Sequence, residues 1–316
     1  MPRSRLSPRR ILSGAAAALA LAPLALGACS KIEYLPDKPL QPWSPPVVLM
    51  HRGGGNDCGP GLPCWPNTLP AVLHGLDTLD GAEVDIQLTA DGTLWLGHDN
   101  QVYDCAGNQV GGSDVCFQDL HDGDIDAVAY CDGTASCTPN ASNSATCIQH
   151  YVRAEAMFAG IQNVHPEKMI ALDIKGQYCR DLGIDEAERM GDEVDRLIRA
   201  YDMPYRMLAE TSQLSFLDEV KGRGTPLYTF IVSLGDVDGP LGAASRQGAT
   251  GISFKWASTS EPIDASVTAG IHQKGFRIIL WTINDTADIA AAWAAAPDVI
   301  ETDEPTFFQH VPAPAP

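Results

Sequence analysis

The sequence predicts a TIM (β/α)8 barrel, an α/β fold in which parallel strands alternate with helices around a closed core. Short β-branched and apolar runs recur between stretches with helical spacing, which is typical of parallel strands buried on both faces. About eight strand–helix units fit into about 270 residues, the usual size of such a barrel. The alternative is a doubly wound sheet, whose first strand normally leads into a glycine-rich nucleotide loop. Here the first strand ends in His51, Arg52 and Gly53.

The expected elements follow one another in regular order. Strands are predicted at 46–50, 82–88, 93–97, 168–174, 206–210, 226–232, 250–254, 276–282 and 297–301. Helices are predicted at 67–79, 151–163, 185–201, 212–222, 240–247, 263–274 and 285–295. The strand at 93–97 is expected to form a hairpin with the strand before it.

Residues 1–28 have the pattern of a lipoprotein-type signal peptide. Four arginines precede the apolar stretch 15–26, which is too short to span a membrane. The following Leu-Gly-Ala-Cys resembles a bacterial lipobox, which implies that Cys29 becomes a lipidated N-terminus. We therefore expect an exported lipoprotein of the bacterial cell envelope, on the periplasmic or outer-membrane face. Ordinary secretion without a lipid is the alternative, and the paired arginines 9–10 leave the Sec and twin-arginine routes both open.

The mature chain divides into a tether, one domain and a tail. Residues 29–45 contain four prolines and predict an extended tether, residues 46–312 the barrel, and 313–316 a short tail. The formal net charge is −19, and removal of residues 1–28 takes away four arginines and no acidic residue, which leaves −23. So acidic a surface repels polyanions, which excludes nucleic acid as a partner. We expect a monomer.

One long stretch, at about 100–150 after the second strand, lacks strand or helix periodicity. It holds five of the nine cysteines. Without Cys29 eight cysteines remain, an even number that predicts disulfides in an exported protein. Local pairs would be Cys58–Cys64 and Cys105–Cys116; a zinc cluster is disfavoured because closely paired Cys-x-x-Cys spacing is missing. Because this insertion follows a strand end, it is expected to form a disulfide-braced lid over the barrel mouth.

Charged side chains gather at the predicted carboxyl ends of the strands, where barrel enzymes have their active sites. His51 and Arg52 end the first strand. Glu83 and Asp85 lie at positions i and i+2 of the second strand and therefore face the same side. His98 ends the hairpin strand.

A third pair, Asp173 and Lys175, repeats the i and i+2 spacing on the next barrel strand. Three buried carboxylates need a cation to neutralise them, and oxygen ligands favour a hard ion such as Ca²⁺ or Mg²⁺. Two histidines can exchange protons near neutral pH, and Arg52 and Lys175 can hold an anion. This combination indicates phosphodiester cleavage.

The order of these motifs resembles that of the glycerophosphodiester phosphodiesterases. The motifs are HRG at 51–53, PNT at 66–68, GAEVDIQLTADGTLWLGHD at 81–99, IALDIK at 170–175, WTIN at 281–284 and ETDEP at 301–305. The resemblance extends from about residue 46 to residue 308. It implies a metal-dependent enzyme that hydrolyses glycerophosphodiesters to glycerol phosphate and an alcohol.

The resemblance also implies roles for individual residues. His51 and His98 match the catalytic histidine pair, acting as general acid and base in either order. Glu83 and Asp85 match two metal ligands, and Asp173 falls where the third ligand lies. Lys175 matches the lysine beside that ligand, while Arg52 and Trp281 match substrate-pocket positions.

Two departures from the family pattern leave the substrate open. Pro66 stands where the Pro-Glu-Asn-Thr motif has glutamate, and Asp173 replaces the usual longer glutamate. An aspartate there resembles the sphingomyelinase D and phospholipase D toxins, which cleave phospholipid head groups to give cyclic phosphates. The alternatives are thus a phospholipase D-like enzyme acting on intact phospholipids or lysophospholipids, and a lipoprotein that binds phosphodiesters without cleaving them.

Other polar residues are expected to have mainly structural or surface roles. Asp303 is expected to brace the eighth strand, and Glu210 could either be structural or face the pocket. His74 is interpreted as a packing or surface residue. Five further histidines are expected to be solvated: His121, His150, His165, His272 and His310.

Overall fold

A computed structural model of the chain describes residues 43, 45–54, 66–104, 108–130, 149–176, 183–256 and 262–310. The predicted signal peptide, Cys29, nearly all of the tether and the tail lie outside the described residues. The same holds for every cysteine except Cys116, which is disulfide-bonded. The two predicted cysteine pairs are therefore not tested.

Strands and helices alternate along most of the chain. The strands are β1 (Val47–Met50), β2 (Gly81–Leu88), β3 (Leu94–Leu96), β4 (Ala129–Tyr130), β5 (Gln149–His150), β6 (Val152–Arg153), β7 (Met169–Ile174), β8 (Met207–Thr211), β9 (Tyr228–Ser233), β10 (Gly251–Lys255), β11 (Arg277–Trp281) and β12 (Val299–Thr302). The helices are α1 (Leu69–Thr78), α2 (Asp122–Asp126), α3 (Ala154–Ile161), α4 (Ile184–Ala200), α5 (Leu214–Arg223), α6 (Asp238–Gln247), α7 (Ala265–Gln273), α8 (Thr286–Ala295) and α9 (Pro305–His310).

Eight of these strands close into a parallel barrel. Neighbours pair in the order β1, β2, β7, β8, β9, β10, β11 and β12, and β12 pairs with β1 to close the ring. Closure confirms the predicted TIM barrel, since a doubly wound sheet would have two open edges. All nine predicted strands and all seven predicted helices are present, with ends that differ by a few residues.

The barrel interior is layered. Its apolar layer consists of Leu49, Ala171, Leu208, Phe230, Ile279 and Val299, all fully buried. Alternate residues of a strand face the same side, so the side chains two positions further along point to the mouth. These include His51, Asp173, Glu210, Trp281 and Glu301, which line a cavity at the carboxyl ends of the strands.

At the opposite end of the barrel, Asp298 is the centre of a hydrogen-bonded network. Its buried carboxylate accepts hydrogen bonds from the backbone of Trp43 (2.9 Å) and from Arg277 Nη1 (2.6 Å). The Arg277 guanidinium also stacks over the Trp43 ring, at 4.2 Å. His272 is buried and its Nε2 lies 2.8 Å from Asp298 Oδ2, so the expectation that His272 is solvated was wrong. The reason is that the end of α7 meets Asp298, the residue before β12, a contact with no local sequence signal.

The described part of the insertion is a small packed unit. Strands β3 and β6 extend the barrel at β2 in antiparallel pairing. Trp95 of β3 is the base of a second apolar core, completed by Val102, Phe117, Leu120, Ile125 and Val128. Asp122 ties the unit to β3 through Thr93 Oγ1 (2.6 Å) and Trp95 Nε1 (3.0 Å). The sequence did not predict β4, β5, β6 or α2, because two to five residues are too few to show a period.

Among the described residues, no helix combines the length and the apolar composition needed to cross a bilayer.

Candidate active site

A cavity of about 750 Å³ opens at the carboxyl ends of the barrel strands. It brings together residues that lie on, or directly after, each of the eight barrel strands. Eight of the residues that line it are His51, Arg52, Glu83, His98, Asp173, Lys175, Trp281 and Glu301. The structure thus gathers seven of the eight predicted catalytic, ligand and substrate residues around one cavity, and the eighth, Asp85, is buried directly behind Glu83 and Asp173.

Three carboxylates form an acidic cluster on β2 and β7. One oxygen from each of Glu83, Asp85 and Asp173 lies within 4.8 Å of the other two. Asp85 and Asp173 are cross-strand neighbours in the parallel register, which is why they meet. Glu83 and Asp85 are 2% and 1% exposed, so neither charge is solvated by bulk water.

Lys175 partly neutralises this cluster. Its Nζ lies 2.8 Å from Asp85 Oδ1 and 2.5 Å from Asp173 Oδ2. Burial lowers the pKa of the lysine, but the charges of Asp85 and Asp173 outweigh it and raise the pKa above its ordinary value. Lys175 is therefore a permanent cation in the site. One ammonium still leaves the cluster with two uncompensated negative charges if all three carboxylates are ionised.

The pKa values of the carboxylates show this imbalance. Burial, then the charges of Asp85 and Asp173, raise the pKa of Glu83 well above its ordinary value. Burial also raises the pKa of Asp173. Burial would raise the pKa of Asp85 too, but the charge of Lys175 and those of the nearby histidines and Arg52 lower it.

The donor set of the cluster fits a hard divalent cation. It offers only oxygen ligands, and Glu83 Oε1 is buried without a hydrogen-bond donor among the described residues. Ca²⁺ and Mg²⁺ prefer such carboxylate ligands. A divalent cation would also remove the repulsion that raises the pKa of Glu83.

His51 stands at the end of β1, with its ring between two carboxylates. Its Nδ1 lies 2.7 Å from Asp303 Oδ1, and its Nε2 lies 3.8 Å from Glu83 Oε2. Its backbone N–H donates to Thr302 O at 2.8 Å. The ring is therefore held from β12 and presents Nε2 to the cavity beside the acidic cluster.

The turn after β1 places Arg52 against the same cluster. Arg52 has φ of +54°, and its backbone N–H donates to Glu83 Oε2 at 2.7 Å. Its Nε lies 3.8 Å from Asp85 Oδ2, while about a third of its side chain is exposed. The guanidinium can thus reach an anion in the cavity while its backbone fixes Glu83.

Asn67 supports Asp85 from behind. Its Nδ2 donates to Asp85 Oδ2 at 2.8 Å, and its Oδ1 accepts from the Asp85 backbone at 2.9 Å. Thr68 caps α1 by accepting from Ala71 N. The Pro-Asn-Thr motif therefore orients one carboxylate of the cluster and begins the first helix.

His98 lies on the other wall of the cavity and is more exposed than His51. Its side chain is 38% exposed, and its Nδ1 lies 2.9 Å from Asp99 Oδ1. The hydrogen bond with His98 is the main reason that the pKa of Asp99 is lowered. His98 and His51 thus face the same cavity, each paired with an aspartate through Nδ1.

The rest of the wall mixes aromatic, cationic and insertion residues. Trp281 lies at the end of β11, with Lys255 Nζ 5.8 Å from its ring. Asn100, Gln101 and Tyr103 come from the segment after β3 and line the same cavity. The beginning of the predicted insertion therefore forms part of the wall.

Sequence reasoning missed two features of the site. Asp303, expected only to brace β12, contacts His51 and also accepts from Asn284 Nδ2 at 2.7 Å.

Glu210 and Glu301 form a buried pair at the floor of the cavity, and Ser253 donates to Glu210. Burial, then the charge of Glu210, raise the pKa of Glu301 well above its ordinary value. The i and i+2 spacing of Glu301 and Asp303 was the available signal.

Comparison with known proteins gives one family match. The family described as Glycerophosphoryl diester phosphodiesterase matches residues 51–306, which is most of the chain. A search of the curated proteins found no match.

Several solved structures share the fold at low sequence identity. A candidate glycerophosphoryl diester phosphodiesterase from Silicibacter pomeroyi DSS-3 has a TM-score of 0.66 and 19% identity, and the match covers 85% of this chain and 94% of that one. A phosphodiesterase from Oleispira antarctica, solved with the product sn-glycerol-3-phosphate, has a TM-score of 0.62 and 14% identity, with 84% and 96% covered. A glycerophosphodiester phosphodiesterase from Parabacteroides distasonis ATCC 8503 has a TM-score of 0.63 and 14% identity, with 84% and 95% covered.

Proposed function

The chain belongs to the glycerophosphoryl diester phosphodiesterase family and is thus a phosphoric diester hydrolase, and we propose that it cleaves water-soluble glycerophosphodiesters to glycerol phosphate and an alcohol. The observation that carries this proposal is the placement of His51 and His98 around one cavity with the acidic cluster. The product complex of the Oleispira antarctica phosphodiesterase supports glycerol phosphate as the product.

Each group near the cavity has a chemical task in this proposal. Arg52 and Lys175 hold the phosphodiester anion by charge and orient it. Glu83, Asp85 and Asp173 would hold a divalent cation, Ca²⁺ or Mg²⁺, which would stabilise negative charge on the phosphoryl oxygens. Trp281 forms an apolar wall for the carbon part of the substrate.

The proton transfers balance across the two histidines. One histidine accepts a proton from the attacking water as the new P–O bond forms. The other donates a proton to the leaving alcohol oxygen as the old P–O bond breaks. The neighbouring glycerol hydroxyl is the alternative nucleophile, in which case a cyclic phosphate forms first and water then opens it.

A second candidate is favoured by Asp173 and by the rim of the cavity. The shorter ligand resembles that of the phospholipase D-like toxins, and Leu234 on the cavity wall is 53% exposed. An apolar rim could accept an acyl chain, so a lysophospholipid is the alternative substrate. Family membership in a group of hydrolases argues against a protein that only binds phosphodiesters.

Phosphorus NMR separates these candidates. The mature protein is incubated with glycerophosphocholine or with lysophosphatidylcholine, each with Ca²⁺, Mg²⁺ or a chelator. Glycerol phosphate from the first substrate, lost with chelator, is the expected result. A cyclic phosphate from the second substrate alone would establish the phospholipase D-like reaction instead, and no turnover of either would overturn the proposal.

Two further proposals concern the lipid anchor and the insertion; the first rests on the sequence pattern and the second on the lining of the cavity. We propose that Cys29 carries a lipid that anchors the enzyme to the bacterial envelope, and fatty-acid labelling of the wild type and of Cys29→Ser tests this. We also propose that the insertion shapes head-group choice, since Asn100, Gln101 and Tyr103 line the cavity. The expected assembly is a monomer.

A further inference from the structure

We propose that Asp303 is a positioning residue for His51, and that Asn284 in turn holds Asp303 in place. The inference rests on the function proposed above, because it concerns the proton transfers at His51. Asp303 lies at the end of β12, next to β1, and 252 residues separate it from His51.

The contact selects one form of the His51 ring. Asp303 Oδ1 lies 2.7 Å from His51 Nδ1, and a carboxylate can only accept a hydrogen bond. The neutral ring must therefore carry its hydrogen on Nδ1, which leaves the Nε2 lone pair free on the cavity side. A histidine needs that arrangement to accept a proton from a substrate or water in the cavity.

Asn284 holds the aspartate at two points. Its Nδ2 donates to Asp303 Oδ2 at 2.7 Å, and its Oδ1 accepts from the Asp303 backbone at 2.8 Å. The His51 backbone is fixed to the same strand end through Thr302 O. The ring and the backbone of His51 are thus both hydrogen-bonded to the carboxyl end of β12, which limits rotation of the imidazole.

The corresponding contact of His98 is less constrained. Asp99 follows His98 directly in sequence, and its side chain is 65% exposed, against 20% for Asp303. Water competes for an exposed carboxylate, so its hold on a ring is weaker. We therefore expect the aspartate on His51 to matter more than the aspartate on His98.

The test compares Asp303→Asn, Asn284→Ala and Asp99→Asn with the control Asp285→Asn. An amide at 303 has one acceptor oxygen for two donors, His51 Nδ1 and Asn284 Nδ2, so one contact is lost. Asp285→Asn removes the same charge one residue from Asn284, and asparagine still caps α8. Thermal unfolding shows which variants remain folded.

The readouts separate positioning from general damage. With glycerophosphocholine, Asp303→Asn should lower kcat by about 10–100-fold with little change in KM. Asn284→Ala should act in the same direction, Asp99→Asn should have a smaller effect and Asp285→Asn none. Nitrogen-15 NMR of labelled histidine should show neutral His51 as the Nδ1–H form in the wild type, and a shift to the Nε2–H form in Asp303→Asn or Asn284→Ala.

Either of two results would overturn the inference. The first is an unchanged kcat in both Asp303→Asn and Asn284→Ala. The second is a wild-type His51 that carries its hydrogen on Nε2. The NMR measurement needs no turnover. If the wild type cleaves neither substrate, the proposed function fails while the tautomer still tests the role of Asp303.

Discussion

The Nε2 atom of His51 lies 3.8 Å from the Oε2 atom of Glu83. This distance places a group that can transfer a proton beside a group that can hold a cation. Loss of either side chain should lower turnover, but only loss of Glu83 should also weaken cation binding.

Replacement of His51 or His98 by alanine should remove a proton transfer and lower kcat by about 10²–10⁴-fold. The measurement is the release of glycerol phosphate from glycerophosphocholine at saturating divalent cation. The control is His121→Ala, since His121 is exposed and pairs with Asp91 outside the cavity. Full activity in His51→Ala would contradict the assigned role.

Glu83→Gln should weaken cation binding. Removal of one of three carboxylates should raise the dissociation constant for Ca²⁺ or Mg²⁺ by about 100-fold, or about 3 kcal/mol. Because the pKa of Glu83 is raised, a cation must displace its proton, so the affinity of the wild type should increase with pH. Titration calorimetry at two pH values measures both effects. Glu188→Gln, on the exposed face of α4, is the control, and equal affinities in both variants would place the cation elsewhere.

Glu301→Gln should stabilise the metal-free protein at pH 8. The pKa of Glu301 is raised in the folded state. Above pH 4.5, the ordinary pKa of glutamate, the unfolded chain loses this proton while the folded chain keeps it. The free energy of unfolding therefore falls as the pH rises from 4.5 through the folded-state pKa. Glutamine keeps a donor for Glu210 without the charge, which should add about 1–3 kcal/mol at pH 8 and little at pH 4.

Urea unfolding at the two pH values measures this difference. Glu188→Gln serves again, because it removes an exposed carboxylate that should not affect the pH dependence. If Glu301→Gln lowered stability at pH 8, the pair of Glu210 and Glu301 would be held by something other than a shared proton.

Tyr103→Ala should change substrate preference more than stability. Tyr103 lies on the cavity wall and is only partly buried, whereas the apolar core of the insertion is built on Trp95 and Phe117. The ratio of kcat/KM for glycerophosphocholine to that for glycerophosphoethanolamine should shift, while the melting temperature changes little. Tyr205→Ala, at an exposed position outside the cavity, is the control. An unchanged ratio would argue against a role of the insertion in head-group choice.

Deletion of the whole insertion would be a poorer test. Phe117 and Leu120 cover Trp95, and Asp122 accepts a hydrogen bond from Thr93, the residue before β3. Removal of this unit would expose a large aromatic side chain next to the barrel and cost stability as well as specificity.

Local spacing in the sequence was sufficient for the barrel and for the acidic cluster. A continuous apolar run indicates a strand that is buried on both faces, and a period of about 3.6 residues indicates a helix. Both signals can be read from each segment by itself. Likewise, the i and i+2 spacing of Glu83 with Asp85 and of Asp173 with Lys175 determines which face each side chain takes. His51 and His98 could be assigned to strand ends because each directly follows a predicted strand in the sequence.

The contacts of Asp303 and Glu301 were decided only by closure of the barrel. Neither residue has a neighbour in sequence that reveals its partner, because His51 directly follows β1 and Glu210 lies on β8. The side chains meet only when β12 pairs with β1 and the inward-facing positions of all eight strands converge on one axis. Sequence therefore determined which groups face inward, while the ring geometry decided which of them touch.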